Sequence, residues 1–156
     1  MKETPAPLGI GGIIRHTAQD CLGEQGKETT MIDHVGVRVG DYQRSKTFFQ
    51  QALAPLGYGM VMEFDMPEGK VGGLGVGGAM PDFWISQGEA QRPPLHVAFN
   101  AENRAAVDAF YQAAITAGGK DNGKPGLRPH YHQDYYGAFI TDPDGNNIEA
   151  VCHKPQ

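Results

Sequence analysis

Two of the six histidines in this chain occupy equivalent places in an internal repeat. A constant offset of 62 residues aligns His34 with His96 and carries several neighbouring residues with it. The collinear matches include His34-Val35 with His96-Val97, Phe48-Phe49-Gln50 with Phe110-Tyr111-Gln112, and Gly57 with Gly119. Such a repeat indicates duplication of one supersecondary unit. Since equivalent positions in a pseudo-symmetric sheet face a shared concavity, we expect His34 and His96 to meet there.

Glu149 adds a carboxylate to these two imidazoles. It lies on the last predicted strand, where Ile148 is apolar and Glu149 points to the other face. Two histidines and one carboxylate on one sheet face form a facial triad, which binds a divalent metal and leaves positions open for water or substrate. The alternative is that each residue is an ordinary buried or surface side chain, but the repeat favours a metal site at His34, His96 and Glu149.

The elements that must position these residues follow from periodicity. Residues 32–39 alternate with period two, which predicts a strand. Asp41 and Ser45 are start signals for a helix, and Pro55 and Gly57 end it. Further strands are predicted near 58–64, 71–76 and 82–86. The second copy predicts a strand at 95–100, a helix over about 102–117 and strands ending at 136–141 and 147–152. Each half therefore reads strand–helix–strand–strand–strand, an α+β fold.

Composition excludes several classes of protein. The chain has 156 residues and a formal net charge of −5, which argues against a nucleic-acid partner. No apolar run approaches the roughly 20 residues of a membrane helix. Two cysteines are too few for a disulfide scaffold, so we expect a cytoplasmic protein with reduced thiols.

Residues 1–30 differ from the remainder of the chain. They show no helical or strand period and fall outside the repeat. We interpret them as a flexible N-terminal extension; an arm that packs on a partner subunit is the alternative. The single folded domain then spans 31–156, with module one at about 31–92 and module two at about 93–156.

Residues 31–156 resemble the vicinal oxygen chelate superfamily, which includes glyoxalase I, bleomycin-resistance and fosfomycin-resistance proteins and extradiol dioxygenases. The resemblance is carried by Asp33 to Val39 with Ser45 and Phe48-Phe49, by His96 to Phe99, by Tyr135 to Phe139, and by Asp142 to Glu149. It implies two paired βαββ modules that form a cup-shaped mixed sheet, a divalent metal ion (Zn, Ni, Mn or Fe(II)) in the cup, and a homodimer.

The family's metal positions fall on His34, His96 and Glu149. Glyoxalase I has a fourth protein ligand late in its first module, and this place is poorly defined here. Alignment of the strands puts Trp84 there, which cannot bind a metal, whereas the bare offset of 62 puts Gln87 there. We favour Trp84 as a pocket wall and a site with three protein ligands.

Other residues are candidates for contact with the substrate. Arg38 occupies the place where glyoxalase I keeps an arginine for a carboxylate, and the alternative for Arg38 is a salt bridge with a local acid. Tyr135 and Tyr136 are predicted to line the rim of the pocket, in an aromatic segment that also contains His132. We expect His132 or Tyr136 to hydrogen-bond substrate or to carry a proton, and Glu149 to be either a ligand or a base.

Two classes of function follow. The first is a metal-dependent enzyme acting on a small substrate with adjacent oxygens, either a lyase of the lactoylglutathione lyase type or an extradiol dioxygenase. The metal would act as a Lewis acid. The second is a non-catalytic protein of the bleomycin-resistance type, which sequesters an aromatic or cationic small molecule.

The interpretation of residues 1–30 gives a testable prediction. A chain that begins at Met31 should fold and melt within a few degrees of the full-length protein, because the deleted residues lie outside the repeat. Thermal unfolding followed by circular dichroism measures this. A drop of many degrees would show that the extension is part of the folded domain.

Overall fold

A computed structural model describes residues 32–155 of the chain. The prediction of an extension over residues 1–30 lies outside this range and stays a prediction. Among the helices of the described part, none has the length and apolar character needed to cross a bilayer.

The first module begins with strand β1 (Val35–Val39) and helix α1 (Tyr42–Leu53), and a short 3₁₀ turn (Ala54–Leu56) follows the helix. Three strands complete the module, β2 (Tyr58–Met66), β3 (Gly69–Val76) and β4 (Phe83–Gln87). The start signal at Asp41 is confirmed, because its carboxylate accepts a hydrogen bond from the Arg44 N–H and so satisfies one free donor of the helix.

The second module repeats this order. Strand β5 (His96–Asn100) leads to helix α2 (Arg104–Thr116), which is followed by β6 (Lys120–Leu127), β7 (Tyr136–Thr141) and β8 (Asn147–Cys152). Asn103 caps α2 by accepting from the Ala106 N–H, as Asp41 does for α1. The two βαββ-type modules and the α+β class are therefore confirmed.

Each module forms its own four-stranded mixed sheet. The strand orders are β1-β4-β3-β2 and β5-β8-β7-β6, and the pairs β1–β4 and β5–β8 are parallel. The first strand of each module therefore lies at a sheet edge. In the described part of the chain, no backbone pairing joins the β1 edge to the β5 edge.

The core lies between the sheets and the two helices, which pack against each other. One face of each sheet is buried there, and an aromatic chain connects the modules. The ring of Phe83 on β4 lies 4.9 Å from that of Phe49 and 5.1 Å from that of Phe99 on β5. Because alternate strand residues point to opposite faces, this burial leaves the second face of each sheet for the candidate site.

A turn between β7 and β8 also links the modules. Asp142 is buried and accepts hydrogen bonds from the Asp144 and Asn146 N–H groups, which fixes the turn. The Asp144 carboxylate then accepts from the Gly40 N–H at 3.1 Å and from the Ser45 hydroxyl at 3.4 Å, both in module one. The β1–α1 corner is thus held to the hairpin that carries β8.

Candidate functional site

Glu149 is a carboxylate in a place where an unpaired charge would be costly. Glu149 lies in the middle of β8, and 1% of its surface is exposed to solvent. Ala98 on β5 and Phe139 on β7 flank it in the sheet register. Ile148 and Ala150, its neighbours in sequence, belong to the core between sheet and helices. Glu149 therefore lies on the opposite face of the sheet, as predicted, and needs hydrogen-bond partners there.

Both carboxylate oxygens of Glu149 have a partner. The Tyr135 hydroxyl donates to Oε1 at 2.5 Å, and His96 Nε2 lies 2.9 Å from Oε2. Since a carboxylate oxygen accepts, His96 Nε2 carries the proton in this contact. The His96 ring is about half exposed, so the pair is reached from solvent through the imidazole.

The hydroxyl of Tyr135 remains a hydrogen-bond donor at neutral pH. Burial and the hydrogen bond to Glu149 raise the pKa of its phenol, so the hydroxyl stays protonated at neutral pH. Gly137 makes the approach of these groups feasible. A Cβ at this position would lie 2.9 Å from Glu149 Oε1 and 3.1 Å from Tyr135 Cε1. A glycine in this strand therefore serves close packing of two polar side chains.

His34 lies immediately before β1 and is exposed. Its Nδ1 is 2.6 Å from the Asp33 carboxylate, so Nδ1 carries the proton and Nε2 keeps a free lone pair. This is the tautomer that a metal-binding histidine adopts when a carboxylate holds its other nitrogen. His34 therefore has the chemistry of a ligand, but the structure does not bring it to His96 and Glu149 within one chain.

The donor set fits a divalent metal in part. His96 Nε2 and Glu149 Oε2 are about as far apart as two ligands of one cation with bonds of roughly 2.0–2.2 Å. Within residues 32–155 of a single chain, no three His, Cys, Asp or Glu side chains are grouped to hold a metal ion. Two of the three predicted ligands, His96 and Glu149, thus lie together, and His34 does not join them within one chain.

Trp84 takes the place in module one that Glu149 has in module two. Gly36 on β1 is in register with Trp84, as Ala98 on β5 is with Glu149. This correspondence of Trp84 with Glu149 agrees with the alignment of the strands. It does not agree with the constant offset of 62 residues, which pairs Glu149 with Gln87. Gln87 is in register with Val39, and its side-chain oxygen accepts from the Lys70 N–H.

Trp84 forms an aromatic wall with Phe64. The two rings are nearly parallel, at 14°, and their centroids are 6.4 Å apart. Gly73 lies opposite Trp84 in the sheet, and a Cβ there would be 2.9 Å from the indole. Phe64 is 46% exposed, so the wall presents apolar area to solvent. Phe64 was not among the predicted site residues.

Arg38 is exposed and lines a cavity of about 270 Å³ together with Glu89, Gln91 and Arg92. In the described chain, no carboxylate lies within salt-bridge distance of its guanidinium, so the alternative of a local ion pair has no partner there. Arg92 donates to the Asp144 carbonyl oxygen at 3.2 Å. The cavity therefore combines two guanidinium groups with one carboxylate.

His132 is hydrogen-bonded through both ring nitrogens. Its Nδ1 accepts from the Asp134 N–H, so Nε2 carries the proton and donates to His153 Nδ1 at 2.8 Å. The Tyr135 ring packs edge-on against both imidazoles, with centroids 5.4 and 5.1 Å away. His132 thus lies beside Tyr135 and bonds His153, which was not among the predicted site residues.

Tyr136 lies on the other face of the sheet. Its hydroxyl donates to Asp108 of α2 at 2.8 Å, and Arg104 stacks over its ring. The alternation of side chains along a strand could have placed the two tyrosines on opposite faces of the sheet. Tyr135 shares a face with Phe139, which is paired with Glu149 in the sheet, whereas Tyr136 does not.

Comparisons with known proteins agree with this architecture. A family model described as the Glyoxalase/Bleomycin resistance protein/Dioxygenase superfamily matches residues 31–150. A search of curated proteins found no match.

Solved structures give the same result. A glyoxalase/bleomycin resistance protein from Albidiferax ferrireducens T118 is 30% identical, with a TM-score of 0.64 over 81% of this chain and 100% of its own. A glyoxalase I mutant from Zea mays is 24% identical, with a TM-score of 0.60 over 77% of this chain and 46% of its own. TnmS3, an antibiotic binding protein from Streptomyces sp. CB03234, is 19% identical, with a TM-score of 0.57 over 83% of this chain and 100% of its own. The last two share the fold.

The close packing at Gly137 gives a prediction for stability. Gly137→Ala should lower the free energy of unfolding by about 1–3 kcal/mol, because the added methyl group collides with Glu149 and Tyr135. Gly59→Ala is the matched control, since a Cβ there meets nothing within 4 Å. Urea unfolding of both variants measures the difference. Equal stabilities would mean that Glu149 and Tyr135 do not pack on Gly137.

Proposed function

The chain belongs to the glyoxalase/bleomycin resistance protein/dioxygenase superfamily, and we propose that it is a divalent-metal-dependent enzyme acting on a small substrate with adjacent oxygens. The observation that carries this proposal is the convergence of His96 Nε2 and Glu149 Oε2 on the face of the sheet away from the core. A buried carboxylate beside an accessible imidazole is an expensive arrangement for a purely structural role.

The proposed metal ligands are His34, His96 and Glu149, with His34 supplied by a second copy of the chain. Two observations support a second copy. His34 Nε2 is free to ligate, yet one chain does not join it to the other two residues. Strand β1 follows His34 and strand β5 begins with His96. Within residues 32–155, each of these strands has no backbone partner along one edge. In a two-fold dimer, the β1 edge of one copy can meet the β5 edge of the other, which creates two equivalent sites.

The residues around the proposed site have distinct roles. A Zn, Ni, Mn or Fe(II) ion would polarise the substrate oxygens as a Lewis acid. Glu149 would ligate the metal through Oε2, or would leave the metal and accept a substrate proton with that oxygen. Arg38, beside Arg92, can pair with an anionic group of the substrate. Trp84 supplies an apolar wall. His132 organises the rim, because both its nitrogens are engaged.

These roles favour one of two reaction types. An anionic substrate bound at Arg38, with a carboxylate base at the metal, suits proton transfer of the lactoylglutathione lyase type. Extradiol cleavage instead requires Fe(II) and dioxygen. Loading the metal-free protein with Ni or Zn, or with Fe(II), and assaying each reaction separates the two.

The dimeric site predicts complementation between two inactive variants. His34→Ala and His96→Ala should each lose metal binding, because each removes one ligand from both sites of a homodimer. After unfolding and refolding as an equal mixture, about half of the dimers should be heterodimers, and each of these has one intact site. Metal binding measured by calorimetry should then return to about a quarter of the parent's capacity.

Two controls make this experiment decisive. A mixture of His96→Ala with Glu149→Gln should restore nothing, because both residues come from the same module of one chain. Restoration in neither mixture, with the parent binding metal, would contradict the contribution of a second copy. If the parent binds no divalent metal after purification without chelator, the metal-dependent function itself is contradicted.

A second candidate function is sequestration of a planar apolar molecule. It is favoured by the nearly parallel rings of Phe64 and Trp84 and by the exposure of Phe64. TnmS3, an antibiotic binding protein with this fold, also supports a binding function as the second candidate.

The fluorescence of Trp84 separates the two candidates, because it is the single tryptophan in the chain. Planar aromatic compounds should quench this emission if they stack on the wall. Under the enzymatic proposal, chelator treatment weakens binding of substrates with adjacent oxygens. Quenching by aromatic compounds that is strong and equal with and without chelator would favour the binding protein.

A further inference from the structure

We propose that Tyr135 is a positioning residue, whose hydroxyl occupies Glu149 Oε1 and so presents Oε2 alone to the metal. This inference rests on the proposed function and deepens it. Tyr135 was expected to touch the substrate; the geometry assigns its hydroxyl to the ligand Glu149 instead.

Several contacts fix the hydroxyl in this role. The Tyr135 ring is packed edge-on against His132, His153 and Tyr131, with centroids 4.9 to 5.4 Å apart. The backbone of the tyrosine is held as well, because its carbonyl oxygen accepts from the Arg128 N–H at 2.7 Å. The bond to Oε1 is therefore made by a ring with little freedom to turn away.

The two oxygens of Glu149 are thereby distinguished. Oε1 accepts from the Tyr135 hydroxyl, in space that Gly137 leaves open because it has no side chain. Oε2 faces the His96 imidazole, which is the accessible side. A carboxylate held in this way ligates through one oxygen. With Oε1 engaged by the Tyr135 hydroxyl, Glu149 would not chelate a metal ion through both oxygens, which would leave a position for the substrate.

The test compares Tyr135→Phe with Tyr136→Phe, each of which removes one hydroxyl bonded to a carboxylate. Tyr136 lies on the helix-facing side and bonds Asp108, so it reports the general cost of losing such a bond. Calorimetric titration with Co²⁺ should show at least about tenfold weaker binding for Tyr135→Phe, the loss typical of an outer partner of a metal ligand. Tyr136→Phe should bind Co²⁺ as the parent does.

A merely structural role would not change how the metal is ligated. The visible absorption of bound Co²⁺ reports its coordination number, and its intensity falls as ligands are added. Tyr135→Phe frees Oε1, so the spectrum should become weaker than that of the parent, while Tyr136→Phe keeps the parent spectrum. An unchanged affinity and spectrum in Tyr135→Phe would overturn the proposal.

A measurement on the metal-free protein distinguishes failure of this inference from failure of the metal site. A hydroxyl proton held between Tyr135 and Glu149 should give a downfield proton resonance that is slow to exchange and is absent from Tyr135→Phe. If the parent shows this resonance but binds no Co²⁺, the proposed function fails and takes this inference with it. If the parent binds Co²⁺ but lacks the resonance, the positioning role alone is overturned. This comparison of Co²⁺ binding and the proton resonance in the parent protein still decides the positioning role if Tyr135→Phe does not fold.

Discussion

The burial of one carboxylate constrains much of module two. Glu149 is almost fully excluded from solvent, and an ion in such a place is tolerated only when its oxygens are hydrogen-bonded. The carboxylate on β8 constrains two neighbouring strands, because β5 must bring His96 to it and β7 must carry a glycine beside it. The segment before β7 must also bring a tyrosine hydroxyl to the carboxylate. Removal of the imidazole or of the tyrosine hydroxyl would leave one oxygen of Glu149 without that partner.

The two modules share a backbone plan but differ in chemistry. At equivalent register positions, module one has Trp84 and module two has Glu149. At this position the first sheet therefore supplies apolar area, while the second supplies an acceptor. A duplicated unit whose halves have diverged in this way offers a ligand one polar and one apolar surface.

The sequence predicted the fold well because its evidence was periodic. The period-two strand before Asp41, the apolar stripe with Phe48 and Phe49, and the repeat itself all depend on local backbone geometry, and each corresponds to an observed element.

Placing the site residues was harder. The constant offset pointed to Gln87 because it allowed no insertion, yet module two has three more residues between Ala98 and Glu149 than module one has between Gly36 and Trp84. The connection between β6 and β7 spans residues 128–135, against 67–68 between β2 and β3, and it contains Tyr135 and His132. The bonds from Tyr135 to Glu149 and from His132 to His153 join residues 14 and 21 positions apart, and they depend on how that connection folds back, which no local pattern records.

The glycine opposite Trp84 has a consequence for how this surface can evolve. Any side chain at Gly73 would occupy space that the indole now fills, and the prolyl ring of Pro81 closes the same position from another side. A change of residue 73 alone is therefore disfavoured, whereas replacing the indole first by a smaller group would remove one of the two contacts. A side chain at residue 73 should therefore destabilise the protein less after Trp84 has changed than before. A change in ligand preference on this side of the molecule would then follow an ordered path of coupled mutations, with Trp84 changing before Gly73.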